Sequence, residues 1–93
     1  MTARQQILHL FTSNSAITSP VIAWAFHDGT KGAGPGLPAD DGTPPYRNGV
    51  KAIEDGWRLI QMSALSDPVE GSERQSSYLR YECLFERMID LNL

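Results

Sequence analysis

Between residues 29 and 45 the chain reads GTKGAGPGLPADDGTPP, which holds five of its eight glycines and four of its six prolines. No regular element survives that density of breakers, because glycine adds backbone freedom and proline lacks the N–H that a helix or ladder needs. In a chain of only 93 residues such a segment leaves two short ordered stretches to build one modest core. The expectation is a single domain over 1–93 with 29–45 as a long Gly/Pro-rich loop, and loops of this length often carry function. Residues 1–28 are apolar and nearly uncharged, whereas 46–93 carry most of the charge. The one internal echo, Asp28-Gly29-Thr30 and Asp41-Gly42-Thr43, reads as two turns.

After the loop, Thr43 as N-cap and Pro44 and Pro45 in a first turn predict a helix over 45–55. Tyr46, Val50 and Ile53 recur at helical spacing as its apolar stripe, and Gly56 stands where a left-handed stop belongs. Gly49 inside it costs about 1 kcal/mol against alanine, which points to close packing on another element. Residues 57–62 are aromatic and branched and predict a short strand, followed by a connection over 63–77. From Tyr78 to Ile89, Leu79, Tyr81, Cys83 and Phe85 alternate with Arg80, Glu82, Leu84 and Glu86, the period of a half-buried strand. A helix is the rival there, since Tyr78, Tyr81, Phe85 and Met88 also align, but it would set Glu82 and Glu86 four apart as like charges. Val21 to His27 is apolar on both strand faces and predicts a central strand, against a helix opened by Ser19-Pro20 and closed at Gly29. Ile7 to Phe11 predicts a short strand, with a helix boxed by Thr2 and Gln5 as the alternative. The fold class expected is α+β: a small antiparallel or mixed sheet of three to four strands with one helix, a βαββ core, and the long loop.

The run Ala52-Ile53-Glu54-Asp55-Gly56-Trp57-Arg58-Leu59-Ile60, followed later by Tyr81 to Arg87, resembles small bacterial domains of unknown function in which a Gly-Trp turn links a helix to a β-hairpin. The likeness spans about half the chain. It implies the βαββ arrangement, with the tryptophan pinning the helix end onto the sheet, and it brings no activity. Arg58 stands at the usual acidic position, and the long loop is a second departure.

A net charge of −3 opposes binding to a phosphate backbone, so no nucleic-acid partner is expected. The single cysteine, Cys83, excludes an intramolecular disulfide and a cysteine-rich zinc site. Gln5 to His27 contains no Asp, Glu, Lys or Arg, but Thr12, Ser13, Asn14 and Ser15 interrupt it. Its apolar runs fall short of the roughly 20 residues of a membrane span and the about 7–15 of a secretory core. The expected location is cytoplasmic, without a membrane partner.

Chemistry-bearing motifs are incomplete. Asp28-Gly29-Thr30 lacks the first acid of the Asp-x-Asp-x-Thr run of phosphatases, because position 26 is Phe, so a strand-end turn is the reading preferred. Lys31-Gly32-Ala33-Gly34-Pro35-Gly36 places its lysine before the glycines and a proline among the donors, unlike a phosphate-binding loop. His9, His27, Cys83, Asp28, Asp40 and Asp41 show no metal-ligand spacing, so no metal and no cofactor are expected. Cys83 reads as a buried hydrophobe, His9 as a strand histidine, and Glu82 and Glu86 as a solvated face. Ser63, Ser76 and Ser77 lack a nucleophile elbow, and no catalytic residue is assigned.

Three functions are weighed. The first is a non-catalytic interaction protein, a homodimer or an accessory partner of a larger protein, with Trp24 and Trp57 as interface candidates. The second is a small-ligand binding domain or modest enzyme whose pocket under loop 29–45 is lined by His27, Asp28, Tyr46 and Arg58. The third is a winged-helix DNA regulator with helices over 3–12 and 19–28, which the acidic balance disfavours. The interaction protein is preferred.

Overall fold

The computed structural model describes residues 2–38, 42–62 and 81–91. In chain order they form strands β1 (Ala3–Thr12) and β2 (Val21–Asp28), helix α1 (Gly49–Glu54), and strands β3 (Arg58–Met62) and β4 (Tyr81–Asp90). The strands make one sheet in the order β2-β1-β4-β3, antiparallel at every step. The expected loop over 63–77 and the start of the expected last strand, 78–80, lie outside the described residues, as do 39–41 of the Gly/Pro segment. No helix among the described residues is long and apolar enough to cross a membrane.

Alternation divides the sheet into two faces. On the front face β1 contributes Gln6, Leu8, Leu10 and Thr12, all buried. Asp28, Phe26 and Trp24 of β2 stand opposite the first three of these, and Arg87, Phe85 and Cys83 of β4 flank the same three on the other side. Leu8, Leu10, Val21, Tyr46, Ala52, Trp57, Cys83 and Phe85 form the core, with Ile17, Trp24, Phe26, Leu37 and Leu59 packed against it. The period-2 reading of the last segment therefore holds: Cys83 and Phe85 are buried while Glu82 and Glu86 share the other face.

Helix α1 sits on the front face through its smallest residues. A Cβ on Gly49 would lie 2.7 Å from Ile17 Cγ1 and 3.3 Å from Phe85 Cζ, so glycine is what lets the helix approach. The Gly49 N–H also donates to the Ile17 carbonyl at 2.9 Å. At its other end Gly56 adopts φ +99°, and the Trp57 N–H returns to the Ala52 carbonyl at 3.0 Å. This left-handed stop swings the Trp57 ring into the core.

Three expectations need correction. The helix starts at Gly49 rather than residue 45, and Asn48, not Thr43, caps it by accepting from the Lys51 N–H at 3.0 Å. Residues 45 and 46 are buried beside the helix instead of inside it, because the Tyr46 hydroxyl is drawn to Asp55 and Trp57. The buried helical residues are consequently Gly49 and Ala52, while Ile53 is 43% exposed. Strand β2 is an edge strand and not a central one; β1 and β4 hold the middle. Trp57, offered as an interface ring, is only 2% exposed and belongs to the core. Residues 3–12 and 21–28 are strands, as expected for Ile7 to Phe11 and Val21 to His27, and not the helices a winged-helix reading would need.

Candidate functional site

The front face carries a chain of engaged polar groups. At the end of β2, the Asp28 carboxylate accepts from the Thr30 N–H at 2.9 Å, the Thr30 hydroxyl at 2.5 Å and the Gln6 amide at 3.0 Å on one oxygen. Its other oxygen accepts from the Gly32 N–H at 3.1 Å. The Thr30 hydroxyl foremost, then the Gln6 amide, hold the Asp28 carboxyl down at about 2, with the Thr30 and Gly32 N–H groups adding to the effect against desolvation. Asp-Gly-Thr is thus a strand-end turn whose side chains organise the first residues of the Gly/Pro segment.

Gln6 continues the chain. Its Nε2 also donates to the Pro35 carbonyl at 2.8 Å, and its Oε1 accepts from Arg87 Nε at 2.6 Å. Arg87 Nη2 reaches the Gly36 carbonyl at 3.2 Å, and the guanidinium lies 4.1 Å from the centroid of the Trp57 ring. Trp57 Nε1 donates to the Tyr46 hydroxyl at 2.9 Å, which donates to Asp55 at 2.6 Å. Burial, followed by the adjacent Asp55 carboxylate, pushes the Tyr46 phenol up to about 12. Burial first, then the Glu82 charge, raise the Cys83 thiol above its ordinary range. A buried thiol held in its neutral form is a poor nucleophile. These contacts clamp residues 35–36 to the sheet and fix the helix end.

The back face has a different character. Ile7, His9 and Phe11 of β1 run down its middle, with His27, Ala25 and Ala23 of β2 on one side and Glu86, Leu84 and Glu82 of β4 on the other. Arg58 pairs with Glu86 across the outer edge, their charged groups 3.9 Å apart. Ile7, His9, Phe11 and Leu84 are half-buried, His27 is exposed, and Met88 is 57% exposed. The described segments that pack onto the core, namely Ile17, Leu37 and α1, do so on the front. His9 makes three contacts on this face: its Nδ1 contacts the Glu82 carboxylate, it stacks on Phe11 at 6.2 Å, and it meets the edge of His27 at 5.3 Å between ring centroids.

The four residues read as a ligand lining are therefore split. His27 and Arg58 occupy the back face on opposite edge strands, joined in one row through Ile7 and Glu86. Asp28 and Tyr46 belong to the front network. Trp24 is partly buried against the core. Sequence reasoning passed over Ile7, Phe11 and Leu84, although Ile7 to Phe11 is apolar at four positions of five and so apolar on both strand faces. Two open depressions flank the helix end. One, of about 400 Å³, is lined by Pro38, Pro45, Tyr46, Lys51, Glu54 and Asp55. The other, of about 200 Å³, is lined by Gly56, Arg58, Glu86, Arg87 and Met88. Among the described residues no group of three or more His, Cys, Asp or Glu side chains is set to hold a metal ion.

No family model, no curated protein and no solved structure matches this chain.

Proposed function

We propose that this protein is a non-catalytic interaction protein that pairs with a second copy of itself through the back face of its sheet. The observation that carries the reading is the half-buried apolar row Ile7, Phe11 and Leu84, over which no described segment packs. An antiparallel sheet facing water on one side normally presents polar residues there, and an apolar patch rimmed by charges marks a contact surface. The rim carries both signs, Glu82 and Glu86 beside Arg58, so the face is complementary to itself as a two-fold contact requires. The lone thiol suits the cytoplasm as the place of action. The unit β2-α1-β3-β4 is proposed as the βαββ core implied by the helix–Gly-Trp likeness.

The test is molar mass by light scattering coupled to size exclusion, for wild type and Ile7→Lys. The new ammonium lies opposite Glu86 and pairs within its own sheet, so the monomer still folds. Wild type near twice 10.3 kDa and Ile7→Lys near 10.3 kDa support the face-to-face dimer. A variant that stays dimeric moves the contact to the apolar edge of β2, which has no lysine to blunt it. A second reading, a small-ligand site beside loop 29–45, draws on the 400 Å³ depression around Tyr46, Lys51 and Asp55. A fragment screen by ligand-observed NMR tests it, with Lys51→Ala expected to remove any hit.

A further inference from the structure

The two histidines of this chain are far apart in sequence and carry no metal-ligand spacing, yet the sheet sets them side by side. Ile7 pairs with His27 and His9 with Ala25, which makes His9 and His27 diagonal neighbours on the back face. Their ring centroids are 5.3 Å apart. Two imidazoles on one tetrahedral zinc ion have centroids about 5 Å apart, given Zn–N bonds of about 2.0–2.1 Å. The backbone separation therefore suits a shared ion, which the rings, now edge to face at 83°, would reach by side-chain rotation. His9 is also set up as a ligand. Its Nδ1 contacts the Glu82 carboxylate, which can only accept, so the proton of the neutral ring sits on Nδ1 and the lone pair on Nε2. A carboxylate behind the imidazole is the usual outer partner of a metal-binding histidine.

We propose that His9 and His27 form half of a site for a zinc-class divalent ion, completed by the same pair from a second copy. This rests on the homodimer reading above. Among the described residues no group of three His, Cys, Asp or Glu side chains is set to hold an ion, and a structural zinc site uses four protein ligands. A two-fold contact across the back face doubles every residue on it, which turns two imidazoles into four. Imidazole nitrogens select zinc, copper or nickel over magnesium and calcium. The ion would join the two sheets at the centre of the apolar face, with Phe11 stacked beside His9 to limit water access.

The experiment uses the full chain without a polyhistidine tag, stripped with EDTA, dialysed and titrated with Zn²⁺. Bound metal is quantified and molar mass is measured by light scattering with and without the ion. Half an ion per chain on a particle near twice 10.3 kDa supports the site. So does the intense visible absorption of tetrahedral Co²⁺ when cobalt replaces zinc. His27→Gln, at an exposed position, is expected to keep its fold by far-UV circular dichroism and to lose the uptake. Glu82→Gln is expected to weaken affinity about 10–100-fold. A dimer that takes up no zinc overturns the site and leaves the dimer standing. A monomer that pairs only on half-molar zinc supports both. A monomer with or without zinc overturns both, and equal uptake by wild type and His27→Gln overturns the site.

Discussion

The two faces of the sheet are made from alternate residues of the same strands, yet they treat polar groups in opposite ways. On the front, Asp28, Gln6, Arg87, Trp57, Tyr46 and Asp55 are joined partner to partner, and Gln6 and Arg87 also hold the backbone carbonyls of Pro35 and Gly36. On the back, charges ring an apolar row without burying it. Burial makes the front unforgiving, because a buried group that loses its partner costs about 1–3 kcal/mol. A half-exposed strand face tolerates substitution, the whole propensity scale spanning only about 1 kcal/mol. If the back face pairs as proposed, front residues report on stability and back residues on association.

The largest expected loss is at Trp57. Trp57→Ala empties the centre of the core and removes the donor to Tyr46, and it is expected to cost about 3–5 kcal/mol in urea denaturation. Next comes Gly29→Ala, whose Cβ would sit 2.3 Å from the Gln5 carbonyl oxygen, a backbone atom that cannot step aside. A cost of about 1–3 kcal/mol is expected from such overpacking. Gly49→Ala is expected to destabilise by a smaller margin, because the Ile17 side chain its Cβ would meet at 2.7 Å can shift where a backbone oxygen cannot. Ile7→Lys is expected to change stability at a fixed monomer concentration by less than about 1 kcal/mol while lowering molar mass. A back-face variant that unfolds the chain, or Trp57→Ala without a loss, would break the comparison.

Two titrations sharpen it at smaller amplitude. The Asp28 carboxyl is lowered from 3.8 to about 2, so its contribution to stability is present above its unfolded value and fades as pH falls through about 2. Asp28→Asn is expected to flatten the stability profile between those limits. The Tyr46 phenol is raised from 10.0 to about 12, so its contribution is present below the unfolded value and is lost as pH rises through about 12. Ultraviolet titration is expected to show one tyrosine ionising late, and Tyr46→Phe to remove it.

Much of the front face was legible in the residues. Alternation around Cys83 and Phe85, the Gly56 stop and the close approach at Gly49 are local signals, and each appears in the fold. The helix start was not legible, because Tyr46 is held outside the helix by Asp55 and Trp57, partners nine and eleven residues away. Nor was the edge position of β2, since Trp24 and Phe26 turn to the core while Ala23 and Ala25 turn away, and that pattern also fits a central strand. The nearness of His9 and His27 follows from the pairing of Ile7 with His27. Register belongs to the sheet, and spacing along the chain does not contain it.

The most direct measurement is hydroxyl-radical footprinting across a dilution series, comparing Phe11, His27 and Met88 on the back with Trp57 on the front. Pairing through the back face predicts that all three back-face side chains are protected at high concentration and become reactive on dilution, while Trp57 stays protected throughout. Back-face reactivity that is high and unchanged at every concentration would contradict it.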